Sequence, residues 1–221
     1  MASSTVEDYL KRIYLEEQNQ PGELISTGRI ASALLVAPGT VTAMMKALAE
    51  SGLVEYEPYM GVRLTPAGTK LATHVLRRHR LIELFLVEFM GIDWSEVHGE
   101  AEVLEHAFSD RLIERMDEML GFPSVDPHGD PIPNAGGQIE TVDYSDLLDC
   151  PLGESLRVAR VVDQRAEFLR LLESHALVPG ATATVESRDP VAETVRVVTS
   201  NSDGLQLGFQ AASKVLVVPA G

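Results

Sequence analysis

Residues 26 to 53 carry the pattern that most restricts the fold. STGRIASALL has helical periodicity with Ser26 or Thr27 as its N-cap, LVAPG breaks it, and TVTAMMKALAESGL starts a second helix that Gly52 closes. A helix, a short turn and a helix leave little choice of packing, since each can bury only one face. LVEYEPYMGVRLTPAG follows directly, with two β-rich runs around a turn at Tyr59-Met60-Gly61. Helix-turn-helix with a small hairpin behind it is the winged-helix arrangement, whose second helix enters a DNA major groove. Upstream, VEDYLKRIYLEE places Val6, Tyr9, Leu10, Ile13 and Tyr14 on one face of a further helix, stopped by Pro21-Gly22.

Charge first argues against nucleic acid. The 221-residue chain has a formal charge of −15, whereas phosphate binding depends on Lys and Arg. The distribution matters more than the total. Residues 1–73 hold 6 basic against 8 acidic side chains and residues 74–221 hold 12 against 25, so the winged-helix third is close to neutral. One cysteine, Cys150, rules out an intrachain disulfide and suits a reducing cytoplasm. The most apolar run, LIELFLVEFMGI, is interrupted by Glu83 and Glu88 and is too short to cross a bilayer, so no membrane partner is expected.

Thr65-Pro66 opens a long helix through to about residue 90, and shorter helices follow at about 95–108 and 109–120. Leu81, Leu84, Phe85, Val87, Leu104, Phe108, Leu112 and Met116 supply apolar surface for a dimer seam or for an intrachain core. FPSVDPHGDPIPNAGG, with four prolines and three glycines, reads as an extended linker running on to Leu152. Beyond it, LRVARVV, ATATVES, ETVRVVTS, LQLGF and KVLVV read as strands, with a helix in QRAEFLRLLESH. About five strands in so short a stretch make a small closed barrel the economical fold. The fold class is α+β in three parts: a winged helix-turn-helix over 1–73, a helical domain over 74–151 with a Pro-rich linker from about 122, and a small β-barrel over 152–221.

HGEAEVLEH, residues 98–106, carries the chemistry. In a helix His98, Glu102, Glu105 and His106 share one stripe. His79 and Glu83 form a second pair one turn apart, Asp126 and His128 lie in DPHG, and Asp8 sits in the otherwise apolar VEDYL. Carboxylates and imidazoles without thiolate suit manganese or ferrous iron, and zinc also binds such sets. Each pair taken alone is ordinary helix surface; the combination behind a winged helix is not. Metallohydrolases also use His/Glu clusters, but the chain has no HExxH or nucleophile motif, so no enzymatic activity and no small-molecule substrate is expected. The remaining alternative is a winged-helix regulator with a non-metal effector.

The order of VEDYLKRIY, IASALLVAPGTVTAMMKALAESGLV, RRHRLIELFL, HGEAEVLEH and GFPSVDPHGDPIP resembles the family of metal-dependent repressors that includes the diphtheria toxin repressor and the manganese transport regulators. LGESLRVARVV and LVPGATATV resemble the SH3-like (FeoA-like) domain of its longer members. The resemblance implies a cytoplasmic homodimer that represses metal-uptake genes when loaded, on a palindromic double-stranded DNA operator. It implies a primary site of Asp8, Glu102, Glu105 and His106. Carboxylates at Asp8 and Glu102, where the iron-responsive branch has Met and Cys, point to Mn2+, with Fe2+ as the alternative and Zn2+ or Co2+ binding in vitro. An ancillary site would draw on His79, Glu83, His98, Asp126 and His128, with Glu167 or Gln164 from the C-terminal domain. Lys11 replaces a Glu that supports a binuclear centre in two-domain manganese regulators, so two separated sites are expected. The recognition helix is Pro38 to Glu50. Ala37, Pro38, Thr40, Thr42 and Ala43 would face base edges, and Arg29, Lys46 and Arg63 the phosphates.

Overall fold

The computed structural model describes residues 3–200 and 202–220. Helix α1 (Ser4–Asn19) starts where the Ser3 hydroxyl accepts from the Val6 N–H, and buries Tyr9, Leu10, Ile13 and Tyr14. Ser26 caps α2 (Thr27–Leu34) in the same way through Arg29 N. Leu35 ends α2 in the left-handed conformation, and Pro38 opens α3 (Pro38–Glu50) at a position where a missing N–H costs nothing. Strands β1 (Val54–Glu57) and β2 (Gly61–Leu64) pair antiparallel, Val54 opposite Leu64, and Ile25 bridges to Val62. Gly61 is obligatory in this hairpin. Its φ is +150°, and a Cβ there would lie 2.8 Å from the Ile25 carbonyl oxygen.

The long helix α4 (Pro66–Met90) follows, then α5 (Val97–Leu104) and α6 (Asp110–Met119). Two compact units emerge. The first contains residues 1–79, 105–107 and 133–139; the second contains 80–104, 108–132 and 140–221. Ile13, Ile30, Met45 and Val62 lie in the core of the first, an arrangement in which α1 braces the helix-turn-helix.

The second unit has two apolar clusters. Leu81, Ile82, Leu86, Val97, Ala101, Ile113 and Ile132 form the helical one, with Leu84, Val87, Leu104, Phe108 and Met116 packed against it. Of the apolar positions offered for a dimer seam, Leu81 is thus intrachain core and Leu84, Val87, Leu104, Phe108 and Met116 are partly buried against it, whereas Leu112, Phe89, Met90, Val103 and Met119 stay exposed. The other cluster fills the C-terminal sheet, ordered β3-β8-β4-β5-β6-β7, from β3 (Ser145–Asp146), β4 (Leu156–Val161), β5 (Thr182–Asp189), β6 (Thr194–Thr199), β7 (Ser202–Gly208) and β8 (Val215–Pro219). Register shifts in the β4–β8, β5–β6 and β6–β7 ladders introduce the bulges that let so short a sheet coil. Helices α7 (Ala166–Ser174) and α8 (Phe209–Ala212) interrupt it.

The proline-rich stretch is extended, as its composition predicts, but it is not a passive linker. Asp126, His128, Asp130 and Ile132 are buried, Val125 bridges to Pro131, and β3 joins the sheet. Among the described residues no single helix is long and apolar enough to cross a membrane.

Candidate metal centre

One cluster lies in the first unit. The sequence stripe from His98 to His106 does not run down one helix, because α5 stops at Leu104 and Glu105 and His106 follow in the next turn. Glu105 is wholly buried, its Oε1 2.6 Å from Lys11 Nζ and its Oε2 2.5 Å from His79 Nδ1. His106 puts Nε2 2.8 Å from Asp8 Oδ1 and Nδ1 2.7 Å from Glu7 Oε2. Ligand atoms of Asp8, Glu105 and His106 all lie within 4.8 Å of one another.

The electrostatics follow from that crowding. Burial raises the Asp8 carboxyl above its ordinary value, although His106 and Lys11 oppose it. Burial by itself would lower His106; Glu7, Glu105 and Asp8 outweigh it and hold the imidazole above its ordinary value. Three carboxylates, those of Glu7, Asp8 and Glu105, here face one ammonium and two imidazoles. Glu7, which carries no sequence signal beyond its place beside Asp8, holds the His106 ring at Nδ1 while Asp8 faces Nε2.

The second unit holds another cluster. Glu83 on α4, Asp126 and His128 are buried, with ligand atoms within 4.8 Å of one another. His128 Nε2 lies 2.8 Å from the Trp94 carbonyl oxygen, which can only accept, so Nε2 carries a proton and, in the neutral ring that ligation requires, Nδ1 presents the lone pair. That nitrogen, 3.9 Å from Glu83 Oε2 and 4.0 Å from Asp126 Oδ1, has no hydrogen-bond partner among the described residues. Asp126 Oδ1 accepts the backbone N–H groups of His128 and Asp130, while Oδ2 has no hydrogen bond among the described residues and lies 3.7 Å from Arg80 Nε. Burial, then the charges of Asp130 and Glu83, push the Asp126 carboxyl well above its usual range, and Arg80 offsets this only in part. A fixed imidazole lone pair beside two buried carboxylates, one with an oxygen left unbonded, fits a divalent cation.

Glu102 is half-exposed and 3.6 Å from His98 Nε2, and His98 Nδ1 is 3.1 Å from Glu83 Oε1. His79 pairs with Glu105. Gln164 donates to Asp130 Oδ2 at 2.8 Å, and Glu167 is exposed on α7. Asp130 also pairs with Arg160, a tie from the ligand turn to β4 that spacing alone does not reveal.

On the helix-turn-helix, Ala37, Pro38, Thr40, Ala43 and Lys46 are exposed, while Thr42 Oγ1 donates back to the Pro38 carbonyl at 3.1 Å. Arg29 Nη2 lies 2.6 Å from Glu16 Oε2, and Arg63 Nε lies 2.5 Å from Glu55 Oε2. Two of the three cations expected at phosphates therefore have carboxylate partners.

A winged helix-turn-helix, a helical segment bearing carboxylate–imidazole clusters and a small β-domain define a metal-dependent DNA-binding regulator. Sequence comparison matches three successive segments to family models. Residues 1–62 match the iron dependent repressor N-terminal DNA binding domain, 65–134 the iron dependent repressor metal binding and dimerisation domain, and 146–219 the FeoA domain. The diphtheria toxin repressor of Corynebacterium glutamicum is 35% identical over 211 residues, covering 92% of this chain and 91% of that protein. Among solved structures, a manganese-dependent transcriptional repressor in complex with manganese is 41% identical with a TM-score of 0.86, covering 97% of this chain and 99% of that one. ScaR with bound Zn2+ is 33% identical with a TM-score of 0.77 at the same coverage. The chain belongs to the iron-dependent repressor family of metal-dependent transcriptional repressors.

Proposed function

We propose that this protein is a manganese-responsive repressor that, as a homodimer in the cytoplasm, binds a palindromic operator of metal-uptake genes and has no enzymatic activity. The observation that carries the reading is the 2.8 Å approach of His106 Nε2 to Asp8 Oδ1 across 98 residues of chain, beside the buried Glu105. Asp8 comes from the segment matched as DNA-binding and His106 from the segment matched as metal binding. Their convergence makes the site a tie between the part that reads DNA and the part that dimerises.

Asp8, Glu105 and His106 act as the primary ligands in this reading, with Glu102 as the fourth, and Glu7 orients the imidazole. Glu83, Asp126 and His128 form the second site, with His79 and His98 beside it in sequence role, while Gln164 acts through Asp130. A bound divalent cation supplies the positive charge that Lys11 and a protonated His106 supply without it. The domain limits that go with these roles are 1–73, 74–151 and 152–221. The absence of thiolate from both clusters and the manganese in a 41%-identical structure support manganese; ferrous iron is the competing effector, named in the family's own description.

Fluorescence anisotropy with a labelled palindromic duplex, titrated separately with manganese, ferrous iron and zinc, tests the reading. Manganese should promote binding at the lowest free concentration, and Glu105→Ala or His106→Ala should abolish the response while leaving a folded dimer. Equal affinity in chelator and in manganese would remove it.

A further inference from the structure

We propose that Arg12 and Arg29, held together by Glu16, form a clamp for one phosphate of the DNA backbone. The inference rests on DNA binding by the helix-turn-helix and adds a contact from outside it. Glu16 is buried, and its carboxylate is forked: Oε1 pairs with Arg12 Nη2, and Oε2 lies 2.6 Å from Arg29 Nη2. One carboxylate thus fixes two guanidiniums, and the trio keeps a net charge of +1. Each guanidinium spends one nitrogen on Glu16 and carries further N–H donors. Both arginine side chains remain more than a third exposed.

The surface in front of them is open to an approaching anion. Arg12, Glu16, Gly28, Arg29, Ser32 and Ala33 line an open hollow of about 480 Å³, three of its walls being small residues. Gly28 is the second residue of α2, in the first turn, where backbone N–H groups lack intrahelical partners and the helix dipole favours negative charge. Among the described residues nothing requires glycine there, because a Cβ would meet no atom closer than Ser26 Oγ at 4.0 Å. The missing side chain instead leaves that turn bare to an approaching group. In helix-turn-helix docking the first helix of the motif crosses the DNA backbone. Here that helix is α2, and the phosphate is therefore the group within reach.

A simple tether between α1 and α2 would use the same three residues, and two substitutions separate the readings. Manganese-loaded full-length protein is titrated with a labelled mixed-sequence duplex over a series of KCl concentrations. Arg12→Gln should flatten the dependence of log K on log[KCl] by about 0.9 per protomer and weaken binding about fivefold per protomer near 0.15 M salt. The loss should be equal on mixed-sequence and operator DNA, since a phosphate contact carries no base information. Glu16→Gln keeps a hydrogen-bond acceptor but raises the trio to +2, so it should bind more tightly with a steeper salt slope, whereas loss of a tether would weaken binding. Wild-type slope and affinity in Arg12→Gln, or weaker binding in Glu16→Gln, overturns the clamp. Wild-type protein that binds duplex without regard to manganese would instead remove the metal reading and leave the clamp standing.

Discussion

Lys11 Nζ lies 2.6 Å from Glu105 Oε1, with both side chains buried. The pair joins α1 to the turn after α5, and it occupies the carboxylate that the proposed primary site needs. An ammonium there compensates a buried charge without any metal. It also means that Glu105 cannot become a ligand without giving up or sharing its lysine.

Lys11→Met should therefore separate fold stability from metal affinity. In chelator, Glu105 loses its ammonium partner and keeps the two imidazoles, and urea unfolding should show a loss of about 3 kcal/mol, as for other broken buried pairs. In manganese the same change removes the competitor, and affinity should rise about tenfold, or about 1.4 kcal/mol. A variant that weakened manganese binding would show that Lys11 assists the site.

Metal uptake at the primary site should be proton-linked with a definite sign. His106 is held above its ordinary value in the fold, so its proton contributes stability that is fully present below about pH 6.5 and is lost as pH rises through the folded value. A ligating imidazole must lose that proton. Manganese affinity should rise with pH and level off above the folded value, and titration calorimetry in two buffers of different ionisation enthalpy should show proton release fading over the same range. Glu7→Gln replaces the carboxylate whose hydrogen bond raises the imidazole most with a neutral acceptor, and should move the whole profile to lower pH.

Elements with local punctuation were legible in the sequence. Ser26, Pro38, Pro66 and the Gly61 turn mark boundaries that depend on caps, fixed φ and a left-handed residue, all short-range physics, and the structure places helices and hairpin there. The end of α5 was not legible. Glu105 leaves the helical stripe where its partners are Lys11, 94 residues away, and His79, 26 residues away, and periodicity carries no record of either. The DPHG turn was legible as donors and as irregular backbone, but its burial depends on Trp94, Arg80 and β4 packing around it. Two-residue β3 and four-residue α8 are too short to leave any period.

Asp126→Asn should distinguish the second cluster from a buried polar network. Asn keeps an Oδ1 for the His128 and Asp130 N–H groups, so the turn survives. Because the Asp126 carboxyl is raised well above its unfolded value, the apo fold loses stability as pH rises and the group ionises; the amide does not ionise. In chelator the variant should be at least as stable as wild type at neutral pH, with the difference growing as pH increases. In manganese it should bind one equivalent fewer per protomer and keep the primary site. Unchanged stoichiometry by equilibrium dialysis would assign Asp126 a purely structural role.

Gly129→Ala should damage the same cluster without touching a ligand. Gly129 has φ +83°, and a Cβ would fall 2.0 Å from the Ala159 carbonyl oxygen and 2.7 Å from Arg160 Cα. Neither neighbour is a flexible side-chain end; both are backbone of β4, which also holds the turn through Val161 N to the His128 carbonyl at 2.8 Å. The strand or the turn must shift, and His128 moves with whichever yields. Gly153 is the control, with φ +72° but no atom within 4 Å of an added Cβ. Gly153→Ala should cost about 1–2 kcal/mol in urea unfolding, the conformational penalty alone. Gly129→Ala should cost more and should also lower second-site manganese affinity in titration calorimetry, an effect Gly153→Ala should lack. Equal behaviour of the two variants would mean that the close approach of the turn to β4 does not hold His128 in place.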